Sequence, residues 1–351
     1  MKTLLITGGS GFIGSHISLL LLEKGYSVFT IDSYINSSSE SLKRIKKILS
    51  KNSIKNDDLF IFEGDIRDPK ILKKIFMRAI HLGKPIDGVI HLAGLKSVRD
   101  STQDPIKYWD FNVKGTINLV GCMKDFCCNS IVFSSSATIY GRANNLLREN
   151  SLIQPVNPYG MTKVVIEKLL NDISSNTKNK WRIANLRYFN PIGSHFSGLI
   201  GESPSGNPNN IFPLILDTAI GNLEKLSVFG NDWPTPDGTP IRDYIHVMDL
   251  AEAHIKALEF LMTIEPKCID LNIGTGSGTS VLELIRMFEE SNKIKIPFEF
   301  SPRRFGDVQY LVADNKLALS TLNWKPKKSI RDMCKDGWKW KQLNPFGYKK
   351  Q

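Results

Sequence analysis

Thr3-Leu4-Leu5-Ile6-Thr7-Gly8-Gly9-Ser10-Gly11-Phe12-Ile13-Gly14 opens the chain and decides its fold. An apolar run of strand length passes straight into a glycine-rich turn, and the turn into a helical pattern marked by Ile17, Leu20, Leu21 and Leu22. Gly8 allows the tight turn, Gly11 lets the backbone approach a pyrophosphate, and Gly14 permits close packing of helix on strand. The phosphates then face a helix N-terminus, where unpaired N–H groups favour negative charge. A second apolar run, 26–32, ends in Asp32. A carboxylate there suits the two hydroxyls of a ribose and repels a 2′-phosphate, so NAD is expected rather than NADP.

Outward from this unit, the runs 59–63, 88–93, 130–134 and 182–187 are short and continuously apolar, with amphipathic stretches between them. Such strands alternating with helices are the signature of a parallel sheet covered on both faces. The fold class is therefore α/β, a doubly wound Rossmann-type parallel sheet. Past residue 190 the alternation loosens. Segment 191–240 is rich in Gly, Pro, Asn and Ser around a helical pattern at 212–220, and reads as loops closing over a ligand. Strand 268–273, helix 281–290, strand 296–300 and an amphipathic helix at 330–340 follow. The expected organisation is a dinucleotide-binding domain over 1–190, with 240–275 returning to it, and a smaller C-terminal substrate-binding α/β lobe from 191–240 and 276–351.

Composition agrees with this architecture. A length of 351 residues accommodates two domains at roughly 150 residues each. Apolar residues at 41% and charged residues at 23% exclude a disordered chain. No apolar run approaches the ~18 residues of a membrane span. Five cysteines without a Cys-x-x-Cys pair argue against a disulfide framework and a zinc knuckle, and point to a reducing, cytoplasmic setting with no metal site. Cys127 and Cys128 read as packing residues. The net charge of +11 is spread over segments such as 43–55, 70–74 and 325–328. None has the aromatic interleaving or groove-reading helix of a nucleic-acid binder, so the charge reads as solvated surface.

A second motif bears on chemistry. Tyr159-Gly160-Met161-Thr162-Lys163 places a phenol and an ammonium four residues apart on one helix face. Upstream, Ser134-Ser135-Ser136-Ala137-Thr138 ends an apolar strand at its carboxyl edge. Using a phenol as a base near neutral pH requires about 4 kcal/mol of relative phenolate stabilisation. Lys163 and a nicotinamide cation are expected to supply it by charge proximity. Ser136 can hold the reacting hydroxyl. At other strand ends, Asp65-Ile66 could meet an adenine, although Asp65 is equally suited to cap the following helix. The turn Leu92-Ala93-Gly94-Leu95-Lys96 lies where a pyrophosphate would, and His91 reads as a core histidine.

With these residues in hand, the chain resembles the extended short-chain dehydrogenase/reductase family over nearly its whole length. The resemblance rests on Thr7 to Gly14, His91 to Lys96, Phe133 to Thr138 with Tyr140-Gly141, and Tyr159 to Lys163. It continues through Leu186-Arg187-Tyr188-Phe189-Asn190-Pro191, Pro208-Asn209-Asn210, Val228-Phe229-Gly230-Asn231-Asp232 and Asp237-Gly238-Thr239. The runs Arg242-Asp243-Tyr244-Ile245-His246-Val247-Met248-Asp249-Leu250 and Arg303-Arg304-Phe305-Gly306-Asp307 complete it, the former being far more specific than the glycine turn.

The resemblance implies an isomerase that interconverts UDP-glucose and UDP-galactose by transient oxidation at sugar C4 with retained NAD. Tyr159 would be the base, Ser136 would hydrogen-bond the 4-oxygen, and Lys163 would tune the phenol and hold the nicotinamide ribose. The implied cofactor set is Gly8, Gly11, Phe12, Ile13, Gly14, Asp32, Asn36, Ser37, Asp65, Ile66, Leu92, Ala93, Gly94, Lys96, Asn112, Tyr159, Lys163 and Phe189. The implied substrate set is Ser136, Asn190, Asn210, Phe229, Arg242, Arg304 and Asp307. Arg242 and Arg304 suit phosphate by charge and fork geometry, Arg303 is expected to be exposed, and His246 reads as structural. Departures from the family pattern are Phe12 in place of a frequent tyrosine and Phe111 before Asn112. Leu311 stands where the side chain facing the sugar 2-substituent varies. A homodimer through first-domain helices, the helix at 117–126 above all, is also implied. The competing readings are a nucleotide-sugar 4,6-dehydratase, a reductase, or a non-catalytic dinucleotide sensor. The dehydratase needs an acid–base pair after the serine, where Ala137 and Thr138 stand.

Overall fold

Six strands of the N-terminal half, β1 (Thr3–Thr7), β2 (Ser27–Asp32), β3 (Leu59–Glu63), β4 (Gly88–His91), β5 (Ser130–Ser136) and β6 (Arg182–Tyr188), line up in parallel with a late strand, Cys268–Ile273. The spatial order is Cys268–Ile273, β6, β5, β4, β1, β2, β3. This is a computed structural model, and it describes residues 2–54, 57–141, 145–175, 180–204, 208, 210–304 and 306–348. The chain reverses direction across the sheet between β1 and β4, so their carboxyl ends flank a crevice, the usual ligand position of a doubly wound sheet.

Alternation along each strand builds a core on either face. Leu4 and Ile6 of β1 join Ile17 and Leu21 of the helix Phe12–Glu23 and Leu250, Ala253 and Leu258 of the helix Val247–Leu261. Leu5 instead faces Leu72, Ile75 and Phe76 of the helix Pro69–His81, with Leu119 and Met123 of Gly115–Asp125 and Ile166 and Leu170 of Pro158–Ser174. Each of the larger of these side chains, fully buried, contributes about 1.5–3 kcal/mol against exposure.

Every residue of β1, β2, β4 and β5 is buried. β3 departs from that expectation: it is the edge strand, and its Ile61 is 38% exposed. Element ends also differ. β4 stops at His91 because Leu92 already enters the turn, and β5 runs on to Ser136, paired with Tyr188. The helix Pro69–His81 is capped by Asp68, which accepts from Lys70 N at 2.8 Å. Cys128 is buried, but Cys127 is exposed at φ +56°, so only one of the pair packs; all five cysteines are free.

The remaining chain forms small sheets around a third core of Phe212, Ile215, Leu284, Phe288 and Met333. Leu226–Phe229 pairs with Phe298–Ser301, and Asn190–Ile192 pairs with Tyr244–His246. Ile241–Arg242 lies between Thr279–Ser280 and Tyr310–Leu311. The helices Val281–Asn292 and Ile330–Leu343 start at capping boxes, Ser280 with Glu283 and Ser329 with Asp332. No helix of the described residues is long and apolar enough to cross a membrane.

Candidate active site

The glycine turn is built so tightly that side chains are excluded. Gly8 N donates to Ile31 O of β2 at 2.8 Å, and Gly11 N donates back to Gly8 O at 3.2 Å. Gly8 has φ +71°, and a Cβ on it would lie 2.9 Å from Ala93 N; one on Gly14 would lie 2.2 Å from Gly8 O. The helix Phe12–Glu23 begins at Gly11 with no side-chain cap, which leaves its first N–H groups for a ligand. Ser10 Oγ is buried with no partner. Asp32, 8% exposed at the end of β2, accepts from Ser10 N at 2.9 Å, Tyr34 N at 3.0 Å and Ser37 Oγ at 2.7 Å. Ser37 therefore orients the carboxylate, and Asn36 is exposed on the same loop. An uncapped helix start, an orphaned hydroxyl and a fixed carboxylate together fit a dinucleotide.

The opposite wall of the crevice is the turn after β4. Ala93 N donates to Thr7 Oγ1 at 3.2 Å. Asn112 accepts from Leu95 N at 2.8 Å and donates to Leu95 O and Thr162 Oγ1, both at 3.1 Å. Its carboxamide is thus committed to protein, and it acts on the turn from behind, with Gly94 pressed against it. Residues Trp109–Lys114 are π-helical, a distortion the apolar pattern did not reveal. Lys96 Nζ reaches Glu202 Oε1 at 2.9 Å, a partner far along the chain. His91 is a core histidine: it bridges Thr7 and Thr116, and burial lowers it to about 3. Asp65 does not cap the next helix, because Arg67 binds it through the backbone N–H at 2.8 Å and through its guanidinium. Ile66 is buried against Gly115.

Tyr159, Lys163 and Ser136 meet at the carboxyl end of β5. The helix Pro158–Ser174 is started by Asn157, which accepts from Gly160 N at 2.8 Å, and by Pro158, whose ring suits the first turn. Lys163 Nζ donates to Ser134 O at 2.7 Å and lies 4.8 Å from the Phe133 ring and 5.7 Å from the Tyr159 ring. Ser136 Oγ accepts from Thr138 N at 3.2 Å. Tyr108 packs edge-on to Tyr159, centroids 6.4 Å apart. Burial pushes the Tyr159 phenol above the ordinary tyrosine range, Tyr188 adds to this, and a hydrogen bond with Ser136 offsets part of it. Burial lowers Lys163 to about 8, against the pull of Glu167. Burial sets both directions in the chain without its dinucleotide, and the expected lowering of the phenol by Lys163 together with a nicotinamide cation belongs to the loaded site.

On the second wall, Phe189 and Leu311 share a cluster with Ala137 and Tyr140. Asn190 Oδ1 is buried with no partner, and Asn210 heads the helix Ile211–Ala219 without a side-chain cap bond. Arg242 donates to Ile241 O at 2.9 Å, with Nη2 4.0 Å from Asp307. The Arg304 guanidinium lies 3.8 Å over the Phe229 ring. Burial raises the Asp307 carboxyl, and Arg242 and Arg304 draw it back. Arg303 is at the surface, as expected, bound to Asp232 at 2.7 Å. His246 is fully buried, caps Met248 N at 3.1 Å and meets Asp336 at 3.2 Å, a structural role. Asn209 and Phe305 lie outside the described residues.

Asp243 was not anticipated. It accepts from Thr275 N, Gly276 N and Ala313 N at 2.8, 2.9 and 3.2 Å, and so fixes the strand that carries Arg242. Its neighbour in the Arg-Asp-Tyr run was the available signal. Glu202 carried none, since its partner is set by tertiary packing.

A doubly wound sheet with a dinucleotide crevice and a serine, tyrosine and lysine at its edge defines an extended short-chain dehydrogenase/reductase. The profile of the GDP-mannose 4,6 dehydratase family matches residues 5–337. UDP-glucose 4-epimerase 2 of Arabidopsis thaliana is 46% identical over 348 residues, 99% of this chain and 97% of that protein. The crystal structure of UDP-glucose-4-epimerase from Stenotrophomonas maltophila, with bound NAD and formylated UDP-arabinopyranose, superposes with a TM-score of 0.92 at 43% identity, covering 98% of this chain and 99% of that one. That of Bifidobacterium longum, in complex with NAD+ and UDP, gives 0.91 at 40% identity, with 99% and 100% covered. The chain belongs to the UDP-glucose 4-epimerase family.

Proposed function

We propose that this chain interconverts UDP-glucose and UDP-galactose, with NAD retained between the glycine turn and the turn after β4. The observation that carries the reading is the buried meeting of Tyr159, Lys163 and Ser136 at the sheet edge beside that crevice. Asp32 would hold the adenosine ribose, and the uncapped N-terminus at Gly11 to Ile13 the pyrophosphate. When bound, NAD would supply the hydride acceptor for sugar C4 and return the hydride to the 4-keto sugar, and its nicotinamide would add positive charge to the site that holds Tyr159. Tyr159 takes the proton of the 4-hydroxyl and gives it back. Ser136 holds that oxygen, and Lys163 keeps a positive charge on the same helix face. Arg242 and Arg304 clamp the diphosphate, Phe229 flanks the uridine side, and the free Asn190 Oδ1 accepts from a substrate hydroxyl. Ala137 and Thr138 after Ser136 supply no acid–base pair, which favours epimerisation over dehydration.

Residues 1–190 and 240–275 form the dinucleotide domain in this reading, and 191–240 with 276–351 the substrate lobe. The protein acts in the cytoplasm, in keeping with five free cysteines. It works as a homodimer. Support for this is an apolar groove between the helices Gly115–Asp125 and Pro158–Ser174, lined by Ile117, Val120, Leu169, Ile173 and Trp181, with Ile117 51% exposed. Denaturing the purified protein and identifying the released dinucleotide tests the cofactor assignment. Stoichiometric NAD is expected, and NADP, or no dinucleotide, refutes it.

A further inference from the structure

The helix row that carries Tyr159 and Lys163 continues at the same spacing of four to Glu167. Glu167 is 6% exposed and its carboxylate is clamped. Ser135 Oγ donates to Oε1 at 2.5 Å, Arg187 Nε to Oε1 at 3.0 Å and Arg187 Nη2 to Oε2 at 2.7 Å. Ser135 and Arg187 are register partners on β5 and β6. The strand therefore holds the Lys163 ammonium through the Ser134 carbonyl and the Glu167 carboxylate through the next residue. On its far side Arg187 meets Asp270 Oδ2 at 2.6 Å and donates to Tyr140 OH and Glu149 O at 3.1 and 2.8 Å. A buried pair of this kind adds little stability over apolar packing of the same volume. Its place beside the lysine calls for another role.

The groups packed on Lys163 are few. Its own helix presents Tyr159 and Glu167, β5 presents the Phe133 ring and the Ser134 carbonyl, and His91 of β4, itself neutral through burial, feels its charge. Among the described residues, Glu167 is the one acid that bears on the ammonium.

We propose that Glu167 is a positioning residue for the epimerisation: its clamped carboxylate keeps the Lys163 side chain charged and directed along the helix face toward Tyr159. The inference rests on the roles given above to Tyr159 and Lys163. Burial draws Lys163 down to about 8 even with Glu167 in place. Without Glu167 the ammonium loses its proton within the neutral range, and the phenol loses its nearby positive charge with it.

The test is the pH dependence of kcat for UDP-galactose in the NAD-loaded protein, wild type against Glu167→Gln. The alkaline limb of the variant is expected to fall by about one unit or more, with KM unchanged and kcat recovering at lower pH. Glu167→Asp, which keeps the charge, restores the limb. Independently of turnover, the Lys163 13Cε resonance of lysine-labelled protein, assigned against Lys163→Met, titrates lower by the same amount. Loss of kcat at every pH with the limb and the Lys163 titration unmoved overturns the proposal and leaves a structural clamp. If Glu167→Gln does not fold, Glu167→Gln with Arg187→Gln removes a cation along with the anion, so a smaller downward shift is expected, and an unmoved titration overturns the proposal. A wild type that leaves UDP-galactose unchanged refutes the catalytic reading instead, and the NMR titration still decides the role of Glu167.

Discussion

Replacing Gly14 by alanine adds one methyl group to the helix start that faces the crevice, and its consequence can be worked out closely. The new Cβ would stand 2.2 Å from Gly8 O and 2.9 Å from Gly9 Cα, where ordinary contact begins near 3.4 Å. Both are backbone atoms, so no rotamer relieves the overlap. Gly8 must retreat by about 1 Å, although its N–H is tied to Ile31 O at 2.8 Å and its carbonyl holds Gly11 N at 3.2 Å. Overpacking of this size costs about 1–3 kcal/mol, and loss of the Gly11 bond about 1 kcal/mol more. For a chain of this length that lowers Tm by roughly 3–5 °C. The displaced atoms are those that approach the pyrophosphate, so retained NAD should fall below a tenth of the wild-type content. Gly83→Ala is the control: it has φ +68° with nothing within 4 Å, so it strains the backbone without touching the turn. Differential scanning fluorimetry and dinucleotide content measure both effects. Gly14→Ala with wild-type Tm and full NAD would refute the close-packed turn.

Tyr159→Phe keeps the ring and removes the proton acceptor, so Tm and UDP binding should persist while kcat drops ~10²–10⁴-fold; wild-type turnover would assign the base elsewhere. His16 is buried and lowered to about 3, so its folded form resists the proton that the unfolded chain takes up below pH ~6.5. Its contribution is complete above that pH and is lost as pH falls, by ~2 kcal/mol at pH 5. The change in unfolding free energy between pH 7.5 and 5 should shrink by that amount in His16→Gln, and an identical change in both proteins would contradict it. Ile117→Glu places a charge in the apolar groove and should give a folded, NAD-retaining monomer by sedimentation; an unchanged association state would move the interface elsewhere. Leu311 offers an acetamido group no polar partner, at ~1–3 kcal/mol per unpaired group, so kcat/KM for UDP-N-acetylglucosamine should lie below that for UDP-glucose and rise in Leu311→Ser. Equal values in the wild type would mean that Leu311 does not face the sugar.

The sheet was readable because strands buried on both faces must be apolar throughout, and β1 to β6 are interrupted by turns that only glycine or small residues satisfy. Strand ends were less readable: β5 extends through Ser135 and Ser136, polar residues whose hydroxyls meet Glu167 and Thr138 inside the fold. Asp65 and Asp68 are both plausible caps by composition, and only the position of Arg67 separates them. Tyr159, Lys163 and Ser136 could be named from spacing, but not their proton affinities, which depend on burial that no linear pattern records. The Lys96–Glu202 pair joins segments distant in the chain and could not be read locally, while the hydrogen bonds of Asp243 are equally distant and only its place beside Arg242 pointed to it.

The most direct test of the central claim is to incubate the purified protein with UDP-galactose, add no cofactor, and follow the sugar by proton NMR. UDP-glucose should appear and approach equilibrium with UDP-galactose, with no deoxy or keto sugar accumulating and the same mixture reached from UDP-glucose. An unchanged UDP-galactose spectrum from protein that retains its NAD, or a 4-keto-6-deoxy product, would contradict it.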